Sequence, residues 1–330
     1  MRTGRHQYTD SAQWFWPRTE AAWHKLRKPD ITATSAASLF GVSPYMTPFD
    51  MFHRMAGNVE VVIEETGRML WGKRLQNAIA TGVCADHGWE IVDGYEFLYA
   101  RSKEFPGMGA SPDYIIRDPA RPELGLGGLE IKNVDLFVAK DNWTDEEAPP
   151  HIEFQLQHQN AVCGFKWGVV AGLIGGNTPM VFRRDRDDEV IAELAKRCAD
   201  MHRRVRENDP PSPDYLADYD TLRTLYKHAH PTKSFDIDNV EPGAELDPEH
   251  LKKLISAKYE ADIAAKLAKE DATRTSAELL DYIKDTETVF GGGWKVSATT
   301  THKQAYTVEY KETSFRNLRV SKPKPKGSKA

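Results

Sequence analysis

The sequence predicts a mixed α/β fold, an α+β arrangement built around a mixed sheet. Helical patterns open and close the first 220 residues, and short runs rich in β-branched and aromatic residues lie between them. The order is helices, three to five strands, a helix, two strands and a helix, which suits helices layered on one sheet.

Residues 14–56 read as helices. Ala21, Ala22, Trp23 and Leu26 suit a short amphipathic helix. Ile31 leads into Thr34-Ser35, which read as N-caps before 36–40, with Gly41 as the stop. Pro48 suits the first turn of a helix to about Met55. A helix over 66–86 carries Leu70, Leu75, Ile79 and Ala80. Residues 90–100 read as a strand or hairpin, 107–111 as a turn, 114–116 as a strand, 118–128 as a turn and 129–134 as a strand. A helix over 151–164, strands over 167–174 and 180–183, and a helix over 189–206 follow. Asp209-Pro210-Pro211-Ser212-Pro213 reads as a boundary. Beyond an irregular 221–247, the sequence predicts one or two exposed helices over 248–284. Gly291–Gly293 then separates these from a hairpin of 294–300 with 305–310. The expected domains are a core over 1–220, an extension over 221–318, and a basic, disordered tail over 319–330 with five Lys or Arg and no acid.

The chain has 330 residues, with 44 Lys+Arg against 49 Asp+Glu and a net charge of −5. That balance excludes a protein that coats nucleic acid through uniform basic charge, though not a local basic groove. The start of the chain lacks an apolar signal core, and the longest apolar run, 167–176, is too short to span a membrane. A soluble, cytoplasmic protein is expected. Cys84, Cys163 and Cys198 are widely spaced with no Cys-x-x-Cys, so they are expected to be inert. His228-x-His230 has no further ligands nearby, and Gly291–Gly293 lacks the Gly-Lys-Ser/Thr of a phosphate loop.

The chemistry concentrates in Ser111-Pro112-Asp113 and, seventeen residues after Asp113, Glu130-Ile131-Lys132. Strand side chains alternate, so Glu130 and Lys132 share one exposed face while Leu129 and Ile131 face the core. Two carboxylates, with the Ile131 carbonyl, can hold a hard divalent cation. A lysine beside them can orient water and stabilise charge on a phosphate. An isolated Glu-x-Lys is more often a surface salt bridge; an aspartate brought in from the neighbouring strand favours metal-assisted phosphodiester hydrolysis. On the helix from 151, His151, Gln155 and Gln159 share a stripe, and Gln157 points about 200° from Gln155. Gln155 and Gln157 therefore cannot face the same neighbour, and where one of the two serves a site the geometry backs Gln155. His151 is expected at the surface.

These motifs resemble the PD-(D/E)xK nucleases, and within them the YqaJ-like viral recombinase, or lambda-exonuclease, family. Ala22-Trp23-His24-Lys25-Leu26-Arg27 with Ile31-Thr32-Ala33-Thr34, then Trp71-Gly72-Lys73, and then Gln155-Leu156-Gln157 look like that family's other motifs, in order over residues 14–205. The resemblance implies a restriction-endonuclease-like core with flanking helices. Asp113 and Glu130 would be metal ligands with the Ile131 carbonyl, Lys132 the catalytic lysine, and Gln155 a catalytic neighbour. Arg27, Thr34 and Ser111 would bind a 5′-terminal phosphate, a role that suits a guanidinium and two hydroxyls, with Thr34 opening a helix. One position departs: Gln76 stands where the family usually has glutamate, which weakens the case for a second metal. The resemblance further implies Mg²⁺, with Mn²⁺ as a substitute, and a 5′→3′ exodeoxyribonuclease acting on ends of linear double-stranded DNA. It would leave 3′ single-stranded tails for phage-type recombination in a bacterial host. A single-strand annealing protein as partner, and a homo-oligomer with the trimer favoured, are also implied. The competing functions are an endonuclease or structure-specific nuclease on the same core, and a DNA-binding recombination scaffold disabled by Gln76.

Overall fold

The computed structural model describes residues 7–60, 65–230, 234, 236–239, 247–305, 307, 316 and 318–321, apart from the Asp141 side chain. The chain divides into two compact units, 1–225 and 226–330.

The first unit begins with β1 (Ala12–Phe15), α1 (Glu20–Arg27), β2 (Ile31–Thr32), the single turn α2 (Ala33–Ala36), α3 (Pro48–Met55) and α4 (Gly67–His87). Then come β3 (Glu90–Asp93), β4 (Tyr99–Ser102), β5 (Met108–Ala110), β6 (Tyr114–Arg117) and β7 (Leu126–Val134). It closes with α5 (Leu136–Asn142), α6 (Pro150–Cys163), β8 (Trp167–Ile174), β9 (Thr178–Asp185), α7 (Asp188–Glu207) and α8 (Tyr219–Leu225).

Local chemistry sets the helix ends. Thr47 and Thr66 each accept a backbone N–H, at 3.0 Å and 3.3 Å, and so cap α3 and α4; Pro48 occupies the first turn of α3. Gly164 ends α6 at φ 69°, a left-handed conformation that glycine reaches without strain.

The strands form two sheets. The larger has order β3-β6-β7-β8-β9 and is antiparallel except between β7 and β8, where a crossover through α5 and α6 makes the pair parallel. The smaller has order β1-β4-β5-β2. Helix α6 packs against strands of both sheets, so Ile152 and every residue from Gln155 to Cys163 are buried. Burial makes an unpaired polar group on this helix costly, and several of them find protein partners. Gln157 does so by donating to the Asp185 carbonyl (2.9 Å) and accepting from Asp187 N–H (3.0 Å). The His158 ring meets the Gly109 carbonyl at 3.2 Å, and burial pushes its pKa down to about 4, so the neutral ring donates. The opposite face of the larger sheet is covered by α4, whose Ile79 and Val83 pack with Leu129, Ile131 and Trp167.

Several sequence expectations are corrected. Residues 14–56 are not helical throughout: β1 and β2 interrupt them. The stretch 107–111 is not a turn, because it contains β5. Residues 126–128 belong to β7 rather than to the preceding turn. Residues 90–100 do not form one hairpin; β3 and β4 lie in different sheets. Thr32, not Thr34, is the N-cap of α2. The segment after Pro213 returns to α3, where Asp218 pairs with Thr47, and Thr221 Oγ1 donates to Asp50 Oδ1 at 2.9 Å.

Close packing fixes the sheet locally. A Cβ on Gly127 would stand 2.6 Å from the buried Trp167 ring. Gly127→Ala is expected to destabilise the protein by about 1–3 kcal/mol through overpacking, seen as a lower urea midpoint with an unchanged slope.

The second unit holds α9 (Pro248–Ile283) and the hairpin β10 (Thr288–Gly291) with β11 (Trp294–Ser297). A single 36-residue helix stands where one or two were expected. The hairpin turns at Gly292-Gly293, with φ of 58° and 86°, so these glycines make the turn rather than separate it from the helix. Of the expected second strand, 306 and 308–310 lie outside the described residues, as do 322–330 of the tail. Among the described residues, no helix is long and apolar enough to cross a membrane.

Candidate active site

Alternation along β7 works as the sequence predicts, with one correction. Glu130 and Lys132 do share the face opposite Leu129 and Ile131, but that face is largely covered, with only Lys132 partly accessible from the cleft. The face lies under α6, and Glu130 is 3 % accessible. Lys132 Nζ donates to Glu130 Oε1 (2.6 Å) and Gln155 Oε1 (3.2 Å). Gln155 Nε2 donates to the same Glu130 oxygen (2.6 Å), and Gln159 Nε2 to the other (2.7 Å). Three donors therefore hold one buried carboxylate in a single orientation. Gln155 is in the site and Gln157 is not, as their separation around the helix requires. Gln159 is a site residue that the motif did not name, although its spacing from Gln155 placed it on the same stripe.

Asp113 immediately precedes β6. Its Oδ2 accepts the Ile131 N–H at 2.8 Å. In an extended strand one residue sends its N–H and its C=O to the same edge, so the Ile131 carbonyl also points to the Asp113 side. Burial, and then the charge of Glu130, push the Asp113 carboxyl up to about 8, against the lowering effects of Lys132, Ile131 N–H and the Gln76 amide. Burial alone would lower the Lys132 pKa; Glu130 and Asp113 outweigh it, so the amine sits above its ordinary value and is an ammonium.

These groups open into a cleft of about 540 Å³ whose lining includes Gln76, Asp113, Glu130, Lys132 and Gln155. Arg27, Thr34 and Ser111 line the same cleft, so the two expected clusters meet in one space. Arg27 lies 4.1 Å over the Trp23 ring and donates to Thr32 Oγ1 (3.3 Å). Burial lowers its pKa, and no carboxylate pairs with it among the described residues. Trp23 Nε1 in turn donates to Ser111 Oγ at 3.0 Å. Trp23 and Thr32 thus position Ser111 and Arg27, and Lys73 and Arg74 line the cleft together with Glu20 and Glu96. His151 does not line the cleft. It is half-buried rather than at the surface, 5.9 Å from the Tyr45 ring, and burial followed by Lys132 lowers its pKa.

Among the described residues no group of three or more His, Cys, Asp or Glu side chains is placed to hold a metal. The cleft offers two carboxylates, the Ile131 carbonyl and the Gln76 amide. Those are hard oxygen donors of the kind that hold a divalent cation together with water and substrate oxygens.

The family motifs meet in one cleft, and comparison with known proteins agrees with them. Residues 22–166 match the YqaJ-like viral recombinase domain. The uncharacterized protein YqaJ of Bacillus subtilis (strain 168) is 27 % identical over 177 residues, 53 % of this chain and 52 % of that protein. The chain thus spans about half the length of the curated relative it matches. Among solved structures, an alkaline exonuclease (LHK-Exo) from Laribacter hongkongensis aligns with a TM-score of 0.46 at 18 % identity, over 61 % of this chain and 98 % of its own. A phage related exonuclease from Haemophilus somnus 129PT aligns with a TM-score of 0.33 at 14 % identity, over 58 % and 89 %. The matched stretch, 22–166, contains every candidate site residue on α1, β7 and α6 and in the segment before β6.

Proposed function

We propose that this cleft hydrolyses phosphodiester bonds in DNA, as a metal-dependent exodeoxyribonuclease that enters linear duplex at a 5′-phosphorylated end. It would remove one strand 5′→3′ and leave a 3′ single-stranded tail. The observation that carries this reading is the union, in one cleft, of an acid–acid–lysine cluster with a half-buried arginine that has no acidic partner among the described residues.

The donor set fits a divalent cation. Asp113 and Glu130 repel one another, and a cation between them would relieve that repulsion. Asp113, Glu130 and the Ile131 carbonyl would hold Mg²⁺, or Mn²⁺ in its place; Gln76, being neutral, favours one tightly held cation over two. A bound Mg²⁺ would supply Lewis-acid polarisation of the phosphate and a more acidic water. The protein's own residues do the rest. The Lys132 ammonium stabilises negative charge that builds on the phosphate, and Gln155 fixes both Lys132 and Glu130. Arg27, Thr34 and Ser111 take the terminal phosphate and so set where cutting starts.

Arg27→Ala tests the anion subsite. A charged hydrogen bond to phosphate contributes about 1.5–3 kcal/mol, so the preference for 5′-phosphate over 5′-hydroxyl ends should fall by about ten- to a hundredfold. Relative initial rates on the two ends measure this. An unchanged ratio would remove Arg27 from phosphate recognition.

A further inference from the structure

Among the described residues, nothing covers an apolar seam on helix α9. None of its residues is buried. Read as heptads from Leu251, its a and d positions place Leu251 and Leu254 at one end and Leu279 and Tyr282 at the other. Between them lie Ala261, Ala265, Ala268 and Ala272. Leu254, Leu279 and Tyr282 are 53 %, 43 % and 91 % accessible. The seam is close to a palindrome: reversing the helix about its midpoint exchanges Leu254 with Leu279, Ala261 with Ala272 and Ala265 with Ala268.

We infer that α9 is a self-pairing surface, and that it joins two copies of this chain as an antiparallel helix pair. Three features favour a second copy in that direction. First, antiparallel pairing puts Leu254 on Leu279 and alanine on alanine in the centre, so side-chain size matches at those positions, with Leu251 meeting Tyr282 at the outer ends. Second, Lys258 is the one charged seam residue. Parallel pairing would set it against its own copy, whereas antiparallel pairing sets it against Thr275. Third, the flanking charges fit only one direction. Asp262 and Lys269 both occupy e positions and face each other across an antiparallel pair, twice by symmetry. Residues 250–258 carry three lysines and no acid, and their mirror segment 275–283 carries Glu278, Asp281 and no base. In the single chain Asp262 pairs only with Lys258 of its own helix, and Lys269 has no ion pair among the described residues.

Cysteine crosslinking of the full-length chain reads the pairing directly. The native Cys84, Cys163 and Cys198 are buried and do not compete. Positions 254 and 279 are about 37 Å apart along one helix, so no disulfide can form within a chain. On mild oxidation the double variant Leu254→Cys/Leu279→Cys should shift to twice the chain's 37.3 kDa, while each single variant stays at 37.3 kDa. Crosslinking of either single variant would mean parallel pairing and would overturn the inference. Absence of crosslinking in all three would overturn it too, and would leave the seam to another protein or to none. Neither result depends on nuclease activity.

Discussion

Lys132→Ala is expected to lower Mg²⁺-dependent nucleotide release by about 10²–10³-fold, the usual cost of losing one positioned charge-stabilising group. The side chain is 28 % accessible and reaches the cleft, so water can enter the space it leaves. Gln155 and Gln159 still hold both oxygens of Glu130 when the lysine is gone. Folding should therefore survive, and a melting curve beside the rate measurement separates the two effects. Lys132→Arg should not restore the rate, because a planar guanidinium cannot take the place of a compact ammonium between Glu130 and Gln155.

Glu130→Ala is expected to cost more in stability than any other change at the site, about 3–5 kcal/mol. It removes the acceptor for three buried or half-buried donors and leaves the Lys132 charge without its main partner. Asp113→Asn should behave in the opposite way. Burial and Glu130 already disfavour the charged form of Asp113, so a neutral amide there should leave the metal-free protein at least as stable as the wild type. Both substitutions should abolish activity. Chemical denaturation of the two variants without metal checks the contrast: a midpoint for Glu130→Ala equal to that for Asp113→Asn would refute the electrostatic account of the site.

The parts of the fold that were legible in the sequence are those whose signals are local. Helices α4 and α7 carry side-chain N-caps and apolar patterns, α6 opens on Pro150 and stops at Gly164, and the alternation of Leu129, Glu130, Ile131 and Lys132 fixes the faces of β7. The short strands β1, β2 and β5 were not legible. Two to four residues are too few for a period, and their pairing depends on partners far along the chain, as Trp14 pairs with Ala100. The same distinction applies at the site. Residue types and spacing pointed to Asp113, Glu130 and Lys132, the family resemblance added Gln155, and the structure brings the four together. The burial of Glu130 and the contribution of Gln159 follow from α6 lying between two sheets, and no local pattern encodes that.

The most direct test of the central claim is digestion of linear duplex DNA with 5′-phosphorylated ends, beside the same DNA as a closed circle, with and without Mg²⁺. The account predicts nucleotide release from the linear DNA only when Mg²⁺ is present, with the circle left intact. Cutting of the circle, or no Mg²⁺-dependent release from the linear form, would contradict it.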